Sequence, residues 1–127
     1  MPIHQGRSKR KATGAKLRSF RKKKKYEIGR EPVETKVGEE KKKKVRVRGG
    51  NFKIKLQAVR YVNVTDRGVT KKVRLLGVEE NPANLDFTRR QIITKGTIIQ
   101  TDIGLAKVTS RPGQDGIINA VTVEVVE

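Results

Sequence analysis

Several residue types are scarce in this chain, and each scarcity removes a class of site. The 127 residues include no cysteine, no tryptophan, a single histidine and 4% aromatic residues. Without cysteine, the chain cannot form a disulfide, a thiolate zinc site or a cysteine nucleophile. His4 alone supplies neither a catalytic triad nor a cluster of histidine metal ligands. We therefore expect no catalytic residues, no metal site and no cofactor.

Long apolar segments are also missing. A helix that spans a bilayer needs about 20 consecutive apolar residues, whereas the apolar clusters here are short, such as those at residues 58–59 and 98–99. The few apolar residues before Glu27 are scattered among basic ones, so the sequence predicts no hydrophobic region of a signal peptide. We expect a cytoplasmic protein with no membrane partner.

Acidic residues are few, and this scarcity points to the partner. The chain has 31 Lys and Arg against 13 Asp and Glu, a formal net charge of +18 at pH 7. Such a charge implies a polyanionic partner. Hydrophobic residues make up 34% of the chain, enough for one modest core and too little for a large enzyme with a deep cleft. The composition favours a small nucleic-acid-binding protein without a small-molecule substrate.

Sequence patterns of enzymatic chemistry do not occur. The adjacent acids at residues 39–40 and 79–80 would diverge in extended structure, which argues against a catalytic carboxylate pair. There is no phosphate-binding loop ending in Gly-Lys-Ser/Thr and no GxGxxG after a strand. The aromatic residues are too scattered for the base-stacking platform of an RRM, so we expect base-specific stacking to be minor. The sequence predicts that the protein is not an enzyme.

The positive charge is concentrated at the N terminus. The first 26 residues hold 11 basic side chains and no acid. Such a segment buries too little apolar surface to offset its ordering entropy, so it should be disordered alone in water and order against a polyanion. Interspersed Gly, Ser and Thr residues let a chain follow a phosphate backbone closely. We predict an RNA-threading extension over residues 1–30.

The candidate RNA-binding residues fall in three places. In the extension, basic side chains are expected to neutralise phosphates, while Thr13 and Gly14 allow close approach of the backbone. A second basic run leads into the folded part. Arg111 lies in a turn whose glycines either approach a phosphate or simply allow positive φ. The candidates are Arg7, Lys9, Arg10, Lys11, Thr13, Gly14, Lys16, Arg18, Arg21, Lys22, Lys23, Lys24, Lys25 and Arg30 in the extension, Lys41, Lys42, Lys43, Lys44, Arg46, Arg48 and Asn51 at the mouth of the domain, and Arg111.

From Val45 onward the apolar residues recur with period two. Val45 and Val47 alternate with basic residues, and residues 52–58 predict a strand with Phe52, Ile54, Leu56 and Ala58 in the core and a basic face outward. Such a face suits RNA, although an ordinary solvated face fits the pattern equally well. Further strand candidates, rich in Val, Ile and Thr, are residues 72–78, 91–95, 97–101, 105–110 and 117–126.

Turn signals separate these segments at short and even spacing. They occur at residues 49–51, 65–68, 81–84, 102–104 and 112–116. Residues 86–91 are consistent with one helical turn and no more. The pattern predicts an all-β fold, with a small barrel-like domain of about six short antiparallel strands over residues 31–127, because closure of the sheet removes its exposed edges.

Several motifs together resemble one protein family. They are, in chain order, QGRSKRKATGA at residues 5–15, RKKKKYEIGREP at 21–32, RVRGGN at 46–51, NPAN at 81–84, IITKG at 92–96 and TSRPGQDG at 109–116. The sequence resembles the archaeal form of the e-type ribosomal protein numbered eight in the small subunit, a family also found in eukaryotes. The resemblance covers nearly the whole chain.

This resemblance implies a structural role in the ribosome. The family's properties imply a barrel-like β domain whose basic extension binds small-subunit ribosomal RNA, beside neighbouring small-subunit ribosomal proteins. We expect a structural constituent of the small subunit that supports translation through contacts with the phosphate backbone. The alternatives are a ribosome-assembly factor with a related domain, a nucleoid DNA-packaging protein and an RNA-processing enzyme. The last would need an acid/base or metal cluster that the sequence does not contain.

Overall fold

The chain consists of two compact units. In a computed structural model that describes residues 3–124, the division falls after residue 32. In the N-terminal unit, β1 (Ile3–His4) pairs antiparallel with β2 (Ile28–Gly29). A 3-10 turn at Lys25–Glu27 leads into β2. Within residues 3–32 only Gly29 is buried, so hydrogen bonds rather than an apolar core hold this unit.

The second unit holds most of the secondary structure. Its first four strands follow one another with little intervening chain, and the later ones are separated by two short helices. The strands are β3 (Thr35–Val37), β4 (Lys41–Arg46), β5 (Phe52–Val59), β6 (Tyr61–Asp66), β7 (Val69–Glu80), β8 (Ile92–Ile93), β9 (Ile98–Thr101), β10 (Gly104–Val108) and β11 (Asn119–Thr122), and the helices are α1 (Leu85–Arg89) and α2 (Pro112–Asp115).

Five strands close into a barrel in the order β10-β11-β6-β7-β9. The other four form a sheet in the order β4-β5-β3-β8. The all-β, barrel-like fold predicted from the sequence is therefore confirmed. The expectation of purely antiparallel strands is wrong at two pairings, because β11 runs parallel to β6 and β3 runs parallel to β5.

Valine and isoleucine supply most of the core. In β6, Val62 and Val64 are buried, while Tyr61 is exposed and Asn63 and Thr65 are partly exposed, the alternation expected of a strand with one solvated face. Burial of each Val, Leu or Ile side chain stabilises the fold by about 1.5–3 kcal/mol. The core comprises Leu56, Val59, Val62, Val64, Val73, Leu75, Val78, Ile93, Ile99, Ala106, Val108, Ile118 and Ala120.

The buried side chain of Asn81 fixes the connection between β7 and α1. Its side chain is fully buried; Nδ2 donates to the Ile92 carbonyl at 3.0 Å, and Oδ1 accepts from the Ala83 amide at 3.1 Å and from the Thr94 hydroxyl at 3.2 Å. Asn84 caps α1 by accepting the Asp86 amide at 2.9 Å. The NPAN and IITKG motifs thus join one buried hydrogen-bond network, which explains them as structural motifs.

The strand predicted over residues 52–58 exists, but its predicted buried face is wrong in the first half. Leu56 is fully buried, whereas Phe52 and Ile54 are 57% and 44% exposed. In the described pairings, this half of β5 pairs with β4, and β3 joins it only at Ala58 and Val59. This half of β5 is therefore covered only in part, by the segment at α2 that contacts Lys53 and Ile54.

Other elements agree with the sequence in part. The strands predicted over 72–78, 91–95, 97–101 and 105–110 correspond to β7, β8, β9 and β10, and α1 is the expected single helical turn. The candidate at 117–126 corresponds to β11, and residues 125–126 lie outside the described residues. β3 and β6 were not predicted, although β6 has clear period-two alternation. Arg67 and Gly68, with φ of 47° and 82°, form the tight turn from β6 to β7.

Candidate nucleic-acid interface

A tight loop presents Thr13 and Gly14 in the N-terminal unit. Arg10 and Lys16 form an antiparallel bridge, and the Leu17 amide donates to the Lys9 carbonyl at 2.8 Å. The chain reverses between them through a bond from the Gly14 amide to the Lys11 carbonyl at 2.9 Å. Gly14 has a φ of +85°, which a side chain would strain, and a Cβ there would meet open space. The tip can approach a phosphate backbone closely.

Seven of the predicted basic residues of this unit line one concavity. The cavity has a volume of about 780 Å³. Seven cations line it, together with the only histidine, two serines and two apolar side chains. Its lining residues are His4, Arg7, Ser8, Lys9, Arg10, Lys16, Leu17, Arg18, Ser19, Phe20, Arg21, Lys23 and Glu27. A hollow with this lining suits phosphate oxygens, which basic side chains and hydroxyls bind together.

Arg21 has a carboxylate partner within the N-terminal unit. Its Nη1 and Nη2 donate to the two carboxylate oxygens of Glu27 at 3.0 and 2.5 Å. The same carboxylate accepts the Lys24 amide at 3.2 Å. These hydrogen bonds lower the pKa of Glu27 from 4.5 to about 2. Those from Arg21 have the largest effect, and that from the Lys24 amide has the next largest. Arg21 therefore also holds the loop against the turn that leads into β2.

The remaining predicted cations of the extension are exposed. Lys11, Lys22, Lys24, Lys25 and Arg30 all lie on the surface. They follow the loop and the 3-10 turn rather than one regular element, so the chain spreads its positive charge along its length. That distribution fits a partner whose negative charge is also extended, as in a nucleic-acid backbone.

The second basic run forms one strand of the β4–β5 hairpin. Lys44 lies opposite Ile54 and Lys43 lies opposite Lys55. Because neighbouring residues on a strand point to opposite faces, Lys43 and Lys44 place positive charge on both faces of the hairpin. Lys41, Lys42, Lys43, Lys44 and Arg46 are all exposed.

One lysine of this run is engaged by an acid. Lys42 Nζ lies 2.6 Å from Glu40 Oε1, and this hydrogen bond is the main reason that the pKa of Glu40 is lowered. Lys43 lies opposite Lys55 in the β4–β5 pairing, so the residue paired with it is another cation and not an acid. Lys42 therefore has an acid as its partner, whereas Lys43 has no acid paired with it across the hairpin.

The tip of the hairpin is a glycine turn between Arg48 and Asn51. Gly49 and Gly50 have φ of +85° and +78°, values that favour glycine. The Val47 amide donates to the Asn51 carbonyl at 2.7 Å and closes the turn. Arg48 and Asn51 are exposed at this tip. The RVRGGN motif thus has a structural reason for its glycines and places polar side chains at the far end of a basic ribbon.

The loop around Arg111 lies beside the same hairpin. Lys53 Nζ donates to Gln114 Oε1 at 2.6 Å, and a Cβ on Gly116 would come within 2.6 Å of Ile54 Cγ2. Gly116 ends α2 with a φ of 72°, so the structural role considered for this glycine is present. The Arg111 side chain is exposed at the start of α2. Folding therefore brings together the hairpin and Arg111, which are far apart in sequence.

Sequence reasoning missed the basic and aromatic residues of the barrel's outer face. Arg60, Lys72 and Arg74 are exposed and were absent from the predicted binding residues. Arg60 and Lys72 both lie over the Tyr61 ring. Isolated lysines and arginines in alternating strands give no sequence signal of their clustering, because the pairing of β6 with β7 creates it.

The described residues also bear on the requirements of a metal site and of a membrane-spanning helix. Across residues 3–124, no group of three or more His, Cys, Asp or Glu side chains is placed to hold a metal ion. In the same part of the chain, no helix has the length and apolar character needed to cross a membrane.

Comparison with known proteins identifies the family. The sequence model of the family described as ribosomal protein S8e matches residues 4–123. The chain is 51% identical over 123 residues to the small ribosomal subunit protein eS8 of Nanoarchaeum equitans, covering 95% of this chain and 97% of that protein. The proteins of the same name from Sulfolobus acidocaldarius and Methanococcus vannielii are 52% and 56% identical, each over 124 residues and with the same shares of both chains. The resemblance inferred from the motifs is confirmed, and the chain belongs to the ribosomal protein S8e family.

Proposed function

We propose that this chain is a structural constituent of the small ribosomal subunit that binds small-subunit ribosomal RNA through its phosphate backbone. The observation that carries the proposal is the match of nearly the whole chain to relatives named as small ribosomal subunit proteins. The net charge of +18 supports an RNA partner. The role is structural, in the ribosome of the cytoplasm, and does not involve catalysis.

The N-terminal unit supplies most of the binding charge in this proposal. Its cavity and exposed cations bind phosphates, and Gly14 lets the loop tip pass close to an RNA strand. Residues 1–30 act as an extension that threads between RNA helices. If this segment neutralises about eight phosphates, the logarithm of the binding constant falls by roughly six to seven for each tenfold rise in salt concentration.

The barrel unit supplies a second, more rigid surface. The β4–β5 hairpin is fixed at its base by buried Leu56 and carries cations on both faces. Arg111, Arg48 and Asn51 extend the same surface at the loop and the tip. The geometry of folded RNA, rather than base sequence, provides the selectivity, because these contacts are made to phosphates and sugars. Neighbouring small-subunit proteins pack against the remaining faces of the domain.

A sucrose-gradient separation of lysate from the source cells tests the proposal. The ribosomes are washed in high salt and the protein is followed by immunoblot. We expect it in mature small subunits and in translating ribosomes. Presence only in precursor particles would make it an assembly factor, and sedimentation with DNA would make it a packaging protein. Either result would overturn the proposal.

A further inference from the structure

Tyr61 lies on the outer face of the barrel with its ring half exposed. Its side chain is 47% exposed, while Val62 beside it and Val64 are buried in the core. Lys72 Nζ lies 5.3 Å from the centre of the ring and Arg60 Cζ lies 5.9 Å from it. Both distances are within the range of a cation–π interaction. The ring is thus held at the surface by two cations.

The pairing of β6 with β7 extends the positive charge around this ring. Arg74 lies directly opposite Tyr61, and Lys72 lies opposite Asn63, two residues further on the same face. Lys72 acts on one acid, Glu40, whose pKa it helps to lower. Glu40 already has Lys42 as a partner at 2.6 Å. The surface around Tyr61 therefore remains cationic.

Polar side chains continue the face away from Tyr61. Asn63 Nδ2 donates to Asn119 Oδ1 at 3.2 Å across the parallel pairing of β6 and β11. The hydroxyls of Thr65 and Thr70 lie 2.8 Å apart. Amides and hydroxyls held in this way can bind base edges and the 2′-hydroxyl of ribose. The face thus joins an aromatic ring, cations and hydrogen-bonding groups along two neighbouring strands.

We propose that Tyr61, flanked by Arg60 and Lys72, is a stacking site for one unpaired base of RNA on the outer face of the barrel. An aromatic ring stacks on a base, and the two cations that lie over the ring in the free protein turn to the phosphates on either side of that nucleotide. Double-stranded RNA offers no free base to the ring. The occupant is therefore a nucleotide in a loop or bulge. This site rests on the proposed RNA-binding function and adds a contact that neutralisation of phosphates does not require.

A single tryptophan can report this contact, because the chain contains none. Tyr61→Trp keeps an aromatic ring at the site and introduces one fluorophore. The probes are an RNA hairpin with an unpaired, adenine-rich loop and a blunt RNA duplex with the same number of phosphates. We expect strong quenching by the hairpin and little by the duplex. Equal quenching by both RNAs, or by neither, would overturn the proposal.

Leu85→Trp is the matched control. Leu85 is 84% exposed at the start of α1, beside Asp86. The tryptophan at position 85 should show little quenching with either RNA, although the N-terminal extension and the β4–β5 hairpin of the protein bind both RNAs. If the looped RNA quenched Leu85→Trp as strongly as Tyr61→Trp, stacking would be non-specific. That result would contradict a site at Tyr61.

Affinity measurements separate this site from the proposed function itself. With labelled RNA, Tyr61→Ala should weaken binding to the looped hairpin about tenfold and leave duplex binding unchanged, while Tyr61→Phe should bind like the parent. Equal affinities of the Ala variant and the parent for the hairpin would overturn the stacking site and leave phosphate binding intact. If the parent itself binds neither RNA, both the site and the proposed function fail. Thermal melting checks that each variant is folded.

Discussion

The two units of the chain use their charged residues in opposite ways. In the N-terminal unit, charge and hydrogen bonds provide the structure, because within residues 3–32 only Gly29 is buried. In the barrel unit, an apolar core provides the structure and charge is added to its outer faces. A unit without a core has little stability of its own. We therefore expect the barrel to fold independently, and the N-terminal unit, held by hydrogen bonds and ion pairs alone, to gain further order when a polyanion neutralises it.

The difference also separates two ways of binding RNA. A loop such as that around Gly14 can adapt to its partner, because few contacts fix it in place. The β4–β5 hairpin is a paired ribbon whose base enters the core at Leu56, so its cations are positioned before RNA arrives. Adaptable segments lose entropy on binding and preformed ones lose less. We therefore expect the extension to contribute affinity and the barrel to contribute orientation.

Deletion of residues 1–26 should give the largest effect on RNA binding. It removes 11 basic side chains and no acid. We expect affinity for small-subunit RNA to fall at least about 100-fold at moderate salt and the salt dependence to flatten by several units. Replacement of the same basic residues by Gln keeps the length and should reproduce the loss. An unchanged salt slope in either variant would show that the extension does not bind phosphates.

Asn81→Ala tests the stability of the barrel without touching the proposed RNA surface. The change leaves the buried Ile92 carbonyl and Thr94 hydroxyl without their Asn81 partner. We expect a loss of about 2–3 kcal/mol in the free energy of unfolding, measured in urea. Asn84→Ala, in the same motif, removes only the cap of α1 and should cost about 1 kcal/mol. A smaller effect for Asn81 than for Asn84 would contradict the role given to the buried amide.

The double variant Lys43→Gln with Lys44→Gln tests the preformed surface. Removal of two phosphate contacts should lower the magnitude of the salt slope by about two and weaken binding roughly tenfold. A matched double variant, Arg89→Gln with Arg90→Gln, removes the same charge from side chains that are paired with Asp86 and Glu34. It should change the slope less. Equal slopes for the two doubles would mean that total charge, not position, determines binding.

The all-β fold was predictable because its signal is local. In β5, the apolar Phe52, Ile54, Leu56 and Ala58 alternate with polar residues, and turn signals such as residues 49–51 separate the strands. The parallel pairing of β11 with β6 was not predictable, because these strands are distant in sequence and nothing in either strand specifies its partner. Barrel closure therefore had to be inferred from the need to cover strand edges.

The candidate site was predictable only where charge is continuous in sequence. The runs at residues 22–25 and 41–44 are visible without a structure. The position of Arg111 beside the hairpin depends on tertiary contacts such as that of Lys53 with Gln114. The exposure of Phe52 was also missed, since alternation shows which residues share a face but does not show where the covering sheet ends.

The pH dependence of the stability of the N-terminal unit should be the smallest of these effects. It is also the sharpest test of the difference between the two units. The pKa of Glu27 is lowered to about 2, first by its hydrogen bonds from Arg21. A carboxyl whose pKa falls on folding stabilises the folded form above its ordinary pKa of 4.5 and loses that effect as the pH falls toward about 2. We expect the Arg21 guanidinium signals in NMR spectra to change over this window, while the barrel signals change little. Glu27→Gln should abolish the transition at every pH. A Glu27 carboxyl that titrates at its ordinary pKa would mean that the pair with Arg21 does not form in the free protein, and that the N-terminal unit depends wholly on its RNA partner for order.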